Sequence, residues 1–304
     1  MKTASKAALE VPGRVAAVMR SVAVLALGGL AAACGSAEGP GSVMEGDAAL
    51  RGTLVITGSS TVAPLVAEMG RRFEASHPGV RVDIQTGGSS RGIADLRRGL
   101  AAVAMISRRL TEDEMDLAAH PVAVDAVGFV VHRDNSVPFL DEDAVRAIFT
   151  GQIRDWSEVG GRPGRIVVVH KAEGRGTLEL FLHTFGLSQA DVRPDVIVSE
   201  NQHGIKTVAG SPGALGYVSV GAVEEEVAGG TAVRIVPLGG GSLDLSGASS
   251  EEAPVAGEGS PMTRTLDLVT DHAPDPLVRA FLEFARSPAV EDLVRGLRFI
   301  PPSR

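Results

Sequence analysis

Residues 166–177 read IVVVHKAEGRGT and contain a junction from which the rest of the chain can be interpreted. The apolar run at 166–169 predicts a buried strand, and the apolar spacing after Thr177 predicts a helix. Gly174 and Gly176 lie in the turn between them. A strand that enters a helix through such a turn leaves backbone N–H groups free at the helix start, where an anion can bind. An ordinary strand–helix connection is the alternative.

Two further junctions of the same kind occur earlier in the chain. A strand predicted at 53–57 leads into GSST at 58–61, and a strand at 80–85 leads into TGGSSRG at 86–92, each before a helix. Strands alternate with helices throughout, which predicts an α/β fold with a mixed, largely parallel sheet flanked by helices. Ligands of such sheets bind beyond the carboxyl ends of the strands, so the three turns should converge.

The amino terminus has the pattern of an exported lipoprotein. Residues 1–33 carry a basic leader and an apolar stretch of small residues, which predicts a signal peptide too short to span a membrane comfortably. Cys34, the only cysteine, follows small residues that resemble a bacterial lipobox, so we expect lipid attachment there. A plain signal peptide with an incidental cysteine is the alternative. Residues 34–52 are small, polar and glycine-rich, as expected of a flexible tether.

Composition argues against several classes of function. The chain has 304 residues and a net charge of −8, with one Trp and one Tyr, which disfavours nucleic-acid binding. The seven histidines lack metal-ligand spacing, and no nucleophile elbow, Walker or dinucleotide motif is present. We therefore expect no metal, no cofactor and no enzymatic activity.

Seven segments resemble, in order, the periplasmic phosphate-binding proteins of phosphate ABC transporters. They are TGSSTVAPL (57–65), GGSSRGI (87–93), DLRRGLAAVAMISRRL (95–110), IFTGQIRDWSEVGG (148–161), EGRGT (173–177), GALGYVSV (213–220) and VRAFLEFARSP (278–288). The resemblance covers essentially the whole mature chain. It implies the two-lobed type II periplasmic-binding-protein fold, with the ligand in a cleft between the lobes.

The same resemblance suggests how the chain divides. Lobe 1 would comprise 53–124 and 225–304, with an exposed, mobile Gly/Ser-rich loop at 239–261. Lobe 2 would comprise 125–224. The lobes would close about extended segments near 122–131 and 218–236.

Carried over by position, the family's ligand contacts fall on all three turns. The implied ligand-binding residues are Ser60, Thr61, Val62, Ser89, Ser90, Arg91, Gly92, Ser107, Arg108, Lys171, Arg175, Gly176 and Thr177. Val62 and the residues after Ser89 would contribute backbone N–H groups. Each hydroxyl has an alternative role as an N-cap that serves only its own helix.

Several positions depart from the family pattern. Lys171 stands where the family usually has arginine, and Arg175 stands where it has serine. Lysine offers a point charge instead of a planar two-pronged donor, so the exchange is not conservative. Arg175 could reach back to the ligand or point to solvent. Ser107 and Arg108 occupy the place where one branch of the family has an aspartate that accepts the proton of phosphate, whereas other branches carry arginine.

Together these features predict an extracytoplasmic solute-binding lipoprotein. It would bind phosphate or a related oxyanion between its lobes and deliver it to an ABC permease, as a monomer held in the periplasm or on the cell surface by lipid on Cys34. A surface or signalling protein of the same fold with altered or lost ligand binding is the alternative, and a phosphate-ester hydrolase is a weaker one.

Overall fold

The computed structural model describes residues 50–239 and 262–302, all within one unit that spans Ala48–Arg304. The predicted signal peptide, Cys34 and most of the tether lie outside the described residues, as does nearly all of the predicted loop at 239–261. Within the described ranges, no helix has the length and apolar character needed to cross a membrane.

Strands and helices alternate along the described chain, which confirms the predicted α/β class. The strands are β1 (Gly52–Gly58), β2 (Val80–Thr86), β3 (Val103–Ile106), β4 (Ala118–His132), β5 (Val167–Lys171), β6 (Val196–Val198), β7 (Ala214–Ser219), β8 (Val233–Val236) and β9 (Thr263–Thr270). The helices are α1 (Ala63–Ser76), α2 (Ser89–Arg97), α3 (Glu142–Phe149), α4 (Gly176–Phe185), α5 (Asn201–Ala209), α6 (Val220–Ala228), α7 (Pro276–Ala285) and α8 (Glu291–Gly296).

The described strands form one mixed sheet in the order β2-β1-β3-β9-β4-β7-β5-β6, with β8 also paired to β4. β1 runs parallel to β2 and β3, and β5 runs parallel to β6 and β7. The antiparallel pairs involve β9 and β4 at the centre. Each parallel group is followed by helices, so its βα turns face one edge.

The long strand β4 joins the two ends of this sheet. Residues 118–126 pair with β9, whereas residues 127–132 pair with β7 and β8. Its interior is largely apolar and buried, as expected of a strand covered on both faces. The sequence predicted an extended segment at 122–132 that could pass from one lobe to the other, and β4 has this course.

Separate hydrophobic cores pack on the first part of β4 (118–126) and on its second part (127–132). Each part of β4, with the elements packed on it, is called here one side of β4. One core packs α1, α7 and α8 against β1, β3 and β9. The others pack α3, α4 and α5 around β5, β7 and the second part of β4. Val233 and Val236 of β8 belong to these second cores. The predicted boundary at 224/225 cuts this packing, so we propose that lobe 2 begins at 127 and extends through β8.

Candidate anion-binding site

The three Gly/Ser turns meet around one small cavity. α1, α2 and α4 begin there, each directly after β1, β2 or β5. The cavity is small, with about 10 Å³ open to the centre of a water-sized sphere, which suits a small ion rather than an extended ligand. It is lined by Ser59, Ser60, Thr61, Gly88, Ser89, Ser107, Lys171, Arg175, Gly176, Thr177, Ser199 and Asn201.

None of these three helices has a side-chain N-cap. The N-cap positions are Val62, Gly88 and Arg175, and no side chain accepts a bond from the first turn. Ser89 lies inside α2 rather than at its N-cap, so the alternative role predicted for its hydroxyl does not hold. The first backbone N–H groups of a helix have no side-chain or helical partner by default and can bind an anion. Two of those at these turns are already engaged, because the N–H of Ala63 donates to the carbonyl of Ser59 and the N–H of Ser90 donates to the carbonyl of Gly174.

A chain of hydroxyl groups lines the first two turns. Ser59 Oγ donates to Ser107 Oγ at 2.9 Å, and the backbone N–H of Ser107 donates to Ser89 Oγ at 3.1 Å. Thr61 Oγ1 accepts from Asn201 Nδ2 at 3.1 Å. These serines and Thr61 are nearly completely buried. Hydroxyl donors without mobile counter-charges are what a dehydrated oxyanion requires.

Arg264 connects these turns from behind the cavity. Its guanidinium pairs with the buried carboxylate of Asp125 at 2.8 Å. It also donates to Thr61 Oγ1 at 3.3 Å, to Thr177 Oγ1 at 2.9 Å and to the carbonyl of Ser107 at 3.0 Å. One arginine on β9 therefore contacts residues from both sides of β4. Arg264 is not among the residues that the sequence predicted for the site.

A signal for the Arg264–Asp125 pair was present in the sequence. Asp125 is the one charge in the apolar run VAVDAVGFVV (122–131), and Arg264 lies in the strand TRTLDLVT (263–270), whose other charge is Asp267. Buried charges are paired in folded proteins, so opposite charges in two buried strands indicate a contact. Ser199 and Asn201 also line the cavity and were missed, because their segment carries no glycine-rich turn.

Two cationic side chains line the cavity at the third turn. Lys171 is buried, and its Nζ donates to Asn201 Oδ1 at 3.0 Å. Burial, reinforced by the positive charges of Arg264 and Arg175, lowers the pKa of Lys171 to about 7. Arg175 turns inward and pairs with Glu200 at 2.7 Å, while its buried Nε has no hydrogen-bond partner within the described ranges. The inward alternative for Arg175 is thus the one observed.

The second and third turns are in direct contact. A Cβ on Gly176 would lie 2.7 Å from Ser107 Oγ and 2.8 Å from Ser89 Oγ, so only glycine fits there. The backbone N–H of Ser90 donates to the carbonyl of Gly174 at 3.3 Å. The described conformation therefore has the cavity closed between the two sides of β4.

Five of the residues implied by the resemblance do not line the cavity. Val62 packs in the first core, and Gly92 packs against the carbonyl of Thr57. Arg91 is exposed and pairs with Asp95 on its own helix. Ser90 donates to Glu179 of α4 rather than into the cavity. The backbone N–H groups of Ser90 and Gly92, which the resemblance assigned to the ligand, donate to the carbonyls of Gly174 and Gly88.

Arg108 is buried beside the cavity and is fully engaged by acids. Its guanidinium pairs with Glu114 at 2.6 Å and with Glu179 across the closed interface. Its contribution to a basic cleft is therefore neutralised. Of the four implied cationic residues, Arg91, Arg108, Lys171 and Arg175, the last two line the cavity.

His170 precedes Lys171 at the carboxyl end of β5, next to the cavity in sequence. The structure places it in the aromatic core, where Tyr217 Oη lies 3.0 Å from its Nδ1 and Phe181 packs against its ring. Burial lowers the pKa of His170 to about 4. It is a neutral core residue at physiological pH and does not line the cavity.

A family model described as a PBP superfamily domain matches residues 44–289. The chain belongs to the PBP superfamily. The family predicted from the sequence is thereby confirmed. The phosphate-binding protein PstS of Bacillus subtilis is 26% identical over 281 residues, covering 90% of this chain and 89% of that protein. PstS of Borreliella burgdorferi is 25% identical and covers 81% of this chain and 88% of its own.

Solved structures of this PBP superfamily domain share its fold. A putative phosphate ABC transporter substrate-binding protein from Clostridium perfringens, with bound phosphate, has a TM-score of 0.73 at 25% identity and covers 83% of this chain and all of that one. An ABC-type phosphate transport receptor from Vibrio cholerae has a TM-score of 0.65 at 27% identity, covering 82% of this chain and all of its own. The predicted type II fold is confirmed.

Proposed function

We propose that this PBP superfamily protein is a solute-binding protein that holds phosphate, or a related tetrahedral oxyanion, in the cavity among its three turns. It would deliver that ion to an ABC permease and carry out no chemistry on it. The proposal is supported by the relatives, whose names describe phosphate-binding proteins and phosphate transport receptors.

The observation that carries the proposal is the composition of the cavity wall. Its side chains are hydroxyls, one amide, one lysine and one arginine, and no carboxylate of the described residues lines it. Three helix starts without side-chain caps add backbone donors. A cavity of this size that offers donors from every side fits a small anion and disfavours a cation or an apolar ligand.

The described conformation has the closed form that such a site requires. Lys171, Thr61 and Thr177 are buried, so an ion can enter only if the two sides of β4 separate. Closing after entry excludes water and strengthens every donor–anion hydrogen bond, because the effective dielectric constant falls. We propose a hinge within β4, where its pairing passes from β9 to β7.

Calorimetric titration of phosphate into the chain from residue 35 onward tests the proposal. We expect one site per chain with micromolar or tighter affinity, which corresponds to about −8 kcal/mol or better. Parallel titrations with sulfate, molybdate and a phosphonate rank the oxyanions. Failure to bind any of the four contradicts the proposal and favours the alternative of a relative with altered or lost binding.

We further propose that the protein is exported and anchored through lipid on Cys34, as a monomer. Support comes from the residues before Cys34 and from the tether after it. Expression of the full chain with Cys34→Ser should move it from the membrane fraction to the soluble fraction. An unchanged distribution would contradict the anchor while leaving the binding proposal intact.

A further inference from the structure

Lys171 differs from the other cations around the cavity because, among the described residues, no acid forms an ion pair with it. Arg264 is paired with Asp125, and Arg175 is paired with Glu200. Within the described ranges, the hydrogen bond that Lys171 Nζ makes is to a neutral amide oxygen, that of Asn201. Among the described residues, the site therefore contains two ion pairs whose charges balance, Arg264–Asp125 and Arg175–Glu200, and one amine, Lys171, without a counter-ion.

Every element packed against this amine presents either a positive or a neutral group, apart from one acid already engaged. Arg264 on β9 and Arg175 before α4 oppose a positive charge on Lys171. Glu200 before α5 favours it, but Arg175 holds that carboxylate.

The neutral neighbours come from three elements. His170 on β5 is buried and uncharged, and Tyr217 on β7 accepts from the backbone N–H of Lys171. On α5, a Cβ at Gly204 would lie 3.8 Å from Nζ, so that helix packs against the amine.

A buried ammonium without a counter-ion is costly, and the group responds by releasing its proton. Burial lowers the pKa of Lys171 to about 7 in the protein without ligand. A di-anion in the cavity would supply the missing counter-charge and restore the protonated form.

We propose that Lys171 determines which ionic form of the oxyanion the site takes, by acquiring one proton from solvent when a doubly charged anion binds. This inference rests on the proposed oxyanion site. The amine becomes an ammonium, no covalent bond to the anion forms, and the buffer supplies the proton. In the complex, the ammonium of Lys171 then donates to the anion beside the hydroxyl groups of the cavity wall.

The consequence for binding follows from linkage. Below about pH 7 the amine is already protonated, so binding takes up little proton at Lys171. Above that pH the free site is mostly neutral and each binding event consumes a proton. Affinity should therefore fall by up to about tenfold per pH unit above neutrality. A guanidinium at this position remains charged throughout this range and would remove the effect.

The test compares the wild-type protein with Lys171→Arg by calorimetry. Each titration with phosphate is run at about pH 8 in two buffers of different ionisation enthalpy, Tris and EPPS, so that the difference in heat gives the protons taken up. Subtracting the proton uptake measured for the variant removes the protons that phosphate itself exchanges on binding. We expect the wild-type protein to take up nearly one proton more per bound ion than the variant. At about pH 5.5 the difference should vanish.

Equal proton uptake by the two proteins at about pH 8 would overturn the inference while leaving the proposed function intact. Absence of phosphate binding by the wild-type protein would overturn the proposed function and, with it, this inference. If Lys171→Arg does not fold or bind, the wild-type titration at about pH 8 still decides, because phosphate there is mostly the di-anion. Uptake near one proton then supports the inference, and uptake near zero overturns it.

Discussion

The hydroxyl of Thr61 receives hydrogen bonds from two sides, from Asn201 Nδ2 and from Arg264 Nη2. A hydroxyl oxygen has two acceptor positions, so its own proton remains to be donated. Because Thr61 lines the cavity, that proton is available to a bound anion. The arrangement orients the group before the ligand arrives.

Replacing Thr61 with valine should therefore weaken phosphate binding with little change in side-chain volume. We expect a loss of about 1–3 kcal/mol, because a buried anion would lack one donor. Thr61→Ser retains the hydroxyl and serves as the matched control. Calorimetry measures both, and equal affinity of the valine and serine variants would show that this hydroxyl does not contact the ligand.

Arg264 has two roles that substitution can separate. Arg264→Met leaves the carboxylate of Asp125 buried without its cation, so the free energy of unfolding should fall by about 3–5 kcal/mol in urea titrations. Asp125→Leu combined with Arg264→Met removes both charges and should recover most of that stability. Phosphate binding should remain weak in the double variant, because Thr61 and Thr177 lose their shared donor.

Recovery of wild-type affinity in that double variant would contradict the role of Arg264 in the site. Recovery of stability without affinity would support it. The comparison matters because a buried ion pair is by itself weak evidence for a contribution to stability or to binding.

The buried His170, which does not line the cavity, should make the stability of the protein depend on pH in the acid range. Its pKa is lowered to about 4 from an ordinary 6.5, so the stability linked to its neutral form is complete above pH 6.5. That stability is lost as the pH falls from 6.5 towards 4, by about 3 kcal/mol in total. His170→Asn preserves a polar atom near Nδ1 and does not titrate. Unfolding of the variant should depend less steeply on pH in this interval, and parallel curves would contradict the prediction.

At the scale of elements, α4 and the segment after β3 are joined across the closed interface. Arg108 follows β3 and pairs with Glu179 in the first turn of α4, and Ser90 of α2 donates to the same carboxylate at 3.1 Å. These contacts surround the cavity without lining it. They connect the two sides of β4 and should slow their separation.

Glu179→Gln tests this contact, because it removes the charge and keeps the side-chain volume nearly unchanged. Because the Glu179 side chain is 34% exposed, the pair is partly screened by solvent, and we expect a modest effect. The dissociation rate of phosphate in stopped-flow measurements should rise by about two- to fivefold, and the effect should shrink at high salt. Glu68→Gln removes a comparable ion pair on the exposed face of α1 and is the control. Equal dissociation rates for the two variants would show that the Glu179 contact does not slow the separation of the two sides.

Local patterns predicted the elements and the turns but not the groups that connect them. Glycine and serine after buried strands marked all three turns, since this chemistry depends on adjacent residues. Arg264 and Asn201 reach the cavity from distant segments, so only the sheet order brings them there. α6 was not predicted. We propose a later boundary than 224/225, because β8 pairs with the second part of β4.

At the scale of the whole molecule, the described chain encloses a cavity between two sets of hydrophobic cores, one on each part of β4. The cores on each side are well packed independently, whereas contacts between the sides are mainly polar and surround the cavity. Such a division favours rigid movement of the sides about the connecting segments. Ligand binding then stabilises the closed form by the free energy of the donor–anion contacts.

The most direct test of the account is a crystal structure of the chain from residue 35 onward, grown with phosphate. We expect one phosphate in the cavity, within hydrogen-bond distance of Thr61, Ser89 and Thr177 and with Lys171 Nζ directed at it. A phosphate bound elsewhere, or a cavity that stays closed and empty of phosphate when the ion is present in excess, would contradict the central claim.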